Sequence, residues 1–320
     1  MDRPSVKKIR WAAAILLAGI LPAAALAQPV AGIQKRLARR MTWFEGDLGI
    51  AAKNLDTGET IAIRGDERFP TASLIKVGVM VEAYHQIAEG KLRSETAVTL
   101  RESDKAGDEA VPLNMMHAGV SLTTADLLRL MIAYSDNTAT NLLIGLVGTA
   151  NVDRRMDAYG LPNTRLFRPT FRDGQADVLP QLEKEFGLGM TTPREIARLF
   201  ELIAQGKVVS RAVCDEMLET LERQQDRAMI PRLLPLERDH VVVANKTGWD
   251  EEKLPDAAGF KGEIRTDAAY VRSPKVRYVI AICVPRGRDT RATVDNDALV
   301  TGAELSRMVY EYFDGLSKRR

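Results

Sequence analysis

Two strand-like runs near the start of the chain, "LGIAAKNL" and "ETIAIRG", surround "DTG", a good hairpin signal. The other strand-like runs come much later, as "HVVVANKTG", "TDAAYV" and "VRYVIAICV". Between the two groups lies a mostly helical middle from about Ser73 to Leu221. It includes "TTADLLRLMIAYSDNTATNLLIGLV", where Thr123 or Thr124 can cap a helix and Asp126 falls in the first turn. A helix, "VAGIQKRLARRMTWF", precedes the first strand, with apolar residues at Ile33, Leu37 and Met41. Another, "NDALVTGAELSRMVYEYFDGL", follows the last. This order argues against alternating βαβ units and predicts an α+β fold. Both ends of the chain should build one five-stranded antiparallel sheet flanked by helices, with the helical insert as a second lobe. The longest irregular stretches, about 161–189 and 249–264, are of a length that in compact domains is often functional.

The first residues read as an export signal. "KKIRWAAAILLAGILPAAALAQP" has a basic start (Lys7, Lys8, Arg10), an apolar run, and Ala25-Leu26-Ala27 before Gln28. Pro22 and the small-residue ending shorten the run below a comfortable membrane span. A signal peptide over 1–27 is therefore expected, with one mature catalytic domain over 28–320 and a periplasmic or secreted location. No cysteine follows the run, so neither a lipid anchor nor any other stable membrane anchor is expected after cleavage.

A net charge of +2 over 320 residues, with no long basic stripe, argues against nucleic acid as a partner. His85, His117 and His240 are far apart and match no zinc spacing, so no metal and no other cofactor is expected. Cys214 and Cys283 are the only cysteines; an oxidising compartment permits a bridge, but two cysteines do not establish one. A monomer is expected.

Three short motifs carry the chemistry. Ser73-Leu74-Ile75-Lys76 stands where a helix begins, and a serine there is an ordinary cap. A serine hydroxyl is also a poor nucleophile that needs a base within hydrogen-bond reach, and helical residues three apart are neighbours. Lys76 could accept the Ser73 proton if it were neutral, which needs burial or a second cation nearby. Ser135-Asp136-Asn137 and Lys246-Thr247-Gly248 follow in order. Each alone could be a turn or a strand end.

Together and in this order the three motifs, with flanks "SDNTATNLLI" and "TTPREIARL", resemble the class A serine β-lactamase superfamily, which includes penicillin-binding-protein-like hydrolases. The resemblance runs from about residue 30 to the last helix. It implies Ser73 as nucleophile, Lys76 as base, and Ser135 as relay of a proton to the leaving nitrogen. It implies Lys246 as the second cation, and an oxyanion hole from the backbone amides of Ser73 and Trp249. Asn137 would orient a substrate amide, with Asp136 bracing its loop. Lys246, Thr247 and Gly248 would meet a substrate carboxylate. Arg265 is either a further carboxylate partner or an ordinary surface arginine.

One part of the family pattern is missing. Class A enzymes carry an Ω-loop glutamate in E-x-x-L-N that activates the deacylating water. Here the segment is "NTRLFRPTFRDGQADVLPQLEKEFGLGMTTP"; aligned on Thr164-Arg165-Leu166, Thr170 takes the glutamate's place. Threonine is no general base at neutral pH. Asp173, Asp177, Glu183 and Glu185 lie in the same loop, and Glu251 and Glu252 in the next one. The expected function is a hydrolase opening β-lactams through a Ser73 acyl-enzyme. The alternatives are a serine acyl hydrolase for D-alanyl peptides or other amides and esters, and a slowly deacylating covalent β-lactam binder or sensor.

Overall fold

The computed structural model of the chain describes residues 24–107 and 111–317. The basic and apolar parts of the expected signal segment lie outside the described residues. The helices are α1 (Ala24–Met41), α2 (Lys76–Ala88), α3 (Pro112–Met115), α4 (Thr124–Ala133), α5 (Asn137–Val147), α6 (Thr149–Ala158), α7 (Pro180–Phe186), α8 (Pro193–Ala204), α9 (Arg211–Glu222) and α10 (Asp297–Ser317). The strands are β1 (Gly46–Asn54), β2 (Thr60–Ile63), β3 (Phe69–Pro70), β4 (Ala97–Thr99), β5 (Ser121–Thr123), β6 (Arg165–Leu166), β7 (Gly189–Thr191), β8 (Val242–Glu251), β9 (Glu263–Arg272) and β10 (Arg277–Gly287).

The five long strands form one antiparallel sheet in the order β2-β1-β10-β9-β8. The fold is α+β, as the run order predicts. β1 pairs with β10 from Gly46↔Gly287 to Asn54↔Tyr278, so the two ends of the chain meet in the middle of the sheet. Period-two alternation gives the strands two different faces. Ala244, Ala268 and Ala281 face the helical lobe, where small residues let α8 and α9 approach closely. Val243, Ile280 and Ile282 face the other way and pack under α1 and α10 with Ile33, Leu37, Val309 and Phe313.

In the helical lobe α2 is buried on every side from Lys76 to Tyr84, as a central helix must be. Thr123 caps α4 in a reciprocal box with Asp126. The helical middle also holds short strands that the sequence does not announce: β6 and β7 form one small sheet with β3, which precedes the middle, and β4-β5 form another. The stretch 161–189, read from sequence as irregular, contains β6 and α7. It is tied down at both ends. Glu195 of α8 accepts bonds from the Asn163 backbone (2.9 Å) and the Thr164 hydroxyl (2.9 Å), and buried Arg168 pairs with Glu183 at 2.8 Å.

Candidate active site

Ser73 lies in a 3-10 turn, Ala72–Ile75, that leads directly into α2. The helix proper therefore starts at Lys76, slightly later than the sequence suggests. In a 3-10 turn residues three apart are eclipsed, which puts Ser73 and Lys76 on one edge. The residue before Ser73, Ala72, has φ of +44°, a left-handed conformation disfavoured for a residue with a Cβ.

Ser135 connects the two halves of the site. It too is left-handed, at φ +58°, in the link between α4 and α5. Lys76 Nζ donates to the Ser135 carbonyl (2.6 Å), to Ser135 Oγ (3.1 Å) and to Asn137 Oδ1 (2.8 Å). From the opposite wall Lys246 Nζ donates to the same Ser135 Oγ at 3.1 Å and to the Thr247 carbonyl at 2.6 Å. One hydroxyl is thus held between two buried lysines. Burial pushes the Lys246 ammonium down to about 8, against the opposing pull of Asp226 and Asp267. Burial also raises the Asp267 carboxyl, to about 8, although Asn245 and the Ile230 amide donate to it.

Asp136 braces the loop. Its Oδ1 accepts the Ala139 amide at the start of α5, and its Oδ2 accepts the Leu113 amide. Gly248 has a steric reason to be glycine. A Cβ there would lie 2.5 Å from the Thr71 carbonyl and 2.9 Å from the Leu74 nitrogen, inside the turn that carries Ser73. β8 therefore touches that turn, and Ser73, Asn137 and Trp249 line one cavity of about 280 Å³.

Thr170 lines the same cavity. Asn141, one turn beyond Asn137 on α5, clasps it: the Thr170 amide (2.7 Å) and hydroxyl (3.0 Å) both donate to Asn141 Oδ1. The helical spacing from Asn137 was a signal for Asn141 in the sequence. Of the loop carboxylates only Asp173 reaches the cavity wall, and it pairs with Arg168 and Lys253. Asp177 accepts from Thr149 at 2.6 Å, Glu183 is taken by Arg168, and Glu185 lines a different cleft. Glu251 lines the cavity, whereas Glu252 is held by Arg286 and the Gly262 amide.

Arg265 is not an ordinary surface arginine. It is buried, its guanidinium donates twice to Glu263 Oε2 (2.9 and 2.7 Å), and it lies 4.9 Å from the centre of the Trp249 ring. Its guanidinium thus already has one carboxylate partner within the protein. Glu263 stands two residues before Arg265 on the same face of β9, a spacing the sequence displayed. The two cysteines are free and buried. The Cys214 thiol donates to the Val208 carbonyl, and burial pushes the Cys283 thiol up to about 12. Among the described residues no cluster of histidine, cysteine and acidic side chains could hold a metal ion.

A family model described as the β-lactamase enzyme family matches residues 32–313. The chain belongs to that family. Its similarity to β-lactamase L2 of Stenotrophomonas maltophilia is 29% identity over 55% of this chain and 56% of that protein. The chain spans about half the length of the first curated relatives it matches. Among solved structures, a β-lactamase from Sphaerobacter thermophilus superposes with TM-score 0.72 and 27% identity, covering 89% of this chain and 98% of that one. PBP-A superposes with TM-score 0.73 and 27% identity over 89% and 97%, and a mutant of it is known as an acyl-enzyme complex with penicillin G. The β-lactamase family accounts for the sheet, the helical lobe and the order of the three motifs. Thr170 and the Glu263–Arg265 pair are features read from this chain's own residues.

Proposed function

We propose that the chain is an extracytoplasmic serine hydrolase that opens β-lactams through an acyl-enzyme on Ser73. The observation that supports this best is Ser135 Oγ held at 3.1 Å from both Lys76 and Lys246, beside the turn that carries Ser73. In this reading Lys76 takes the Ser73 proton as Oγ attacks the lactam carbonyl. The backbone amides of Ser73 and Trp249 stabilise the oxyanion. Ser135, backed by Lys246, passes a proton to the departing nitrogen. Lys246 and Thr247 attract the substrate carboxylate. The mature domain begins near Gln28, and the N-terminal layout supports a periplasmic or secreted location; no described helix is long and apolar enough to cross a membrane.

A second reading has its own support. Thr170 sits in the cavity where the family carries its water-activating carboxylate, and its hydroxyl is already bonded to Asn141. Acylation is then well provided for and deacylation is not, which fits a slow-releasing covalent binder. Mixing the protein with a chromogenic β-lactam while following product and intact mass separates the readings. Many turnovers support the hydrolase, and one equivalent of product with a lasting adduct supports the binder. Neither turnover nor adduct would falsify both. Ser73→Ala is expected to abolish the adduct.

A further inference from the structure

The inner face of α1 is accounted for by the fold. Ile33 and Leu37 are buried in the core under α1 and α10, and Phe44 joins the same core just beyond the helix. Lys35 and Arg39 stand one turn apart on the opposite side, with Arg36 beside them, and all three are exposed. Backbone bonds from the Thr42 amide to Ala38 and from the Trp43 amide to Arg40 carry the helical turn past Met41. Trp43 therefore comes next in the row after Lys35 and Arg39, and it is 77% exposed while its neighbour Phe44 is buried.

Charge singles out the same face. From Ala24 to Phe44 the sequence has no Asp or Glu, and its cations are Lys35, Arg36, Arg39 and Arg40. Arg40 turns to Glu304 of α10. Among the described residues Lys35, Arg36 and Arg39 form no ion pair. Carboxylates on the adjoining elements are engaged, Asp47 by Arg64 at 2.7 Å and Glu311 by Arg307 at 3.7 Å, and Glu45 is left to offset one charge. A row of unpaired cations ending in an exposed indole complements an anionic lipid surface. Phosphate headgroups take the charges, and an indole settles at headgroup level. The segment read as the export signal also runs directly into α1, which brings this helix to the membrane first.

We propose that the outer face of α1, through Lys35, Arg36, Arg39 and Trp43, is a peripheral docking surface for an anionic phospholipid bilayer. The contact is reversible and is no anchor, because the apolar side of α1 stays in the core. The Ser73 turn belongs to the core on the other face of the sheet, so a docked protein keeps Ser73 off the lipid. The inference rests on the export reading for where the membrane is met, and not on the chemistry at Ser73.

The test uses the protein expressed with its own export segment and purified after export, its start read by intact mass. It is mixed with vesicles of equal parts phosphatidylglycerol and phosphatidylcholine, and with vesicles of phosphatidylcholine alone. Tighter binding to the first is expected, lost near about 1 M salt, where screening shortens to about 3 Å. Each cation near an anionic surface is worth about fivefold, so Lys35→Gln, Arg36→Gln and Arg39→Gln together should weaken binding about a hundredfold. Circular dichroism and the urea midpoint check that this triple variant stays folded. Trp43 emission should move to the blue on binding, and Trp43→Ala should lose that shift although Trp249 still emits. Binding no tighter to the anionic vesicles, an unchanged affinity in the triple variant, or no blue shift overturns the proposal. Equally tight binding to a short DNA duplex overturns it too, since that marks an unselective polyanion surface. A retained export segment counts against the export reading alone, and the triple variant still decides the docking.

Discussion

Lys246 holds its charge where no water can solvate it, and that places its titration within reach of ordinary assay buffers. Burial brings the ammonium down to about 8. Above that pH the group is increasingly neutral, so it neither attracts a carboxylate nor supports proton relay through Ser135. The acylation rate kcat/KM, which reports the free enzyme, is expected to fall on its alkaline side with a midpoint near 8. Lys246→Arg, which keeps its charge, should move that limb upward; an unmoved limb assigns it to another group. Thr170 makes the second argument at this scale. Its hydroxyl cannot take a proton from water at neutral pH, and of the four carboxylates sought in its own loop only Asp173 lines the cavity, paired with Arg168 and Lys253. Thr170→Glu places a carboxylate beside Asn141, whose amide already serves this position. Positioned general bases contribute about 100-fold or more, so the Ser73 adduct should be released at least about tenfold faster even with imperfect placement. Intact-mass decay after a single β-lactam pulse measures it, and equal decay in both proteins would mean that the loop cannot aim a carboxylate.

The decisive contact between elements is β8 against the Ser73 turn. Gly248→Ala would force a Cβ to within 2.4 Å of Thr266 Oγ1 and 2.5 Å of the Thr71 carbonyl, so strand and turn must part. Overpacking of this kind costs about 1–3 kcal/mol. Because the strain falls between the two amides proposed as the oxyanion hole, acylation is expected to drop by more than tenfold while the protein stays folded by circular dichroism. A wild-type acylation rate would show that the two elements move independently. At this scale the sequence was legible where a pattern repeats. The five long strands, the α4 cap and the three motifs all announce themselves by alternation, capping chemistry or spacing. The two- and three-residue strands β3, β6 and β7 carry no period, since their pairing is imposed by the loop that Glu195 and Arg168 tie down. The fate of Arg265 was hidden for a different reason. Strand spacing places Glu263 beside it, but sequence does not say whether an arginine turns to its neighbour or to a ligand.

The five-stranded sheet separates two large cores, and of these two only one borders the site. The face toward α8 and α9 is continuous with α2 and hence with the Ser73 turn. The face toward α1 and α10 contains none of the residues assigned to catalysis. This division separates stability from chemistry in a way that one substitution can expose. Phe313 of α10 is fully buried against Tyr278 of β10, ring centres 5.5 Å apart. Phe313→Ala removes a ring from a packed core, at a cost of about 3–5 kcal/mol, a large share of the stability of an ordinary domain. The urea midpoint should fall steeply. Per folded molecule at 25 °C, however, the rate at which Ser73 is acylated should stay within about twofold of wild type, because distant sites without shared partners act nearly independently. Measuring both on the same preparation makes the comparison strict. A large loss of acylation in protein that remains folded would mean that the two faces of the sheet are mechanically coupled, and that the site depends on the far core for its shape as well as for its survival.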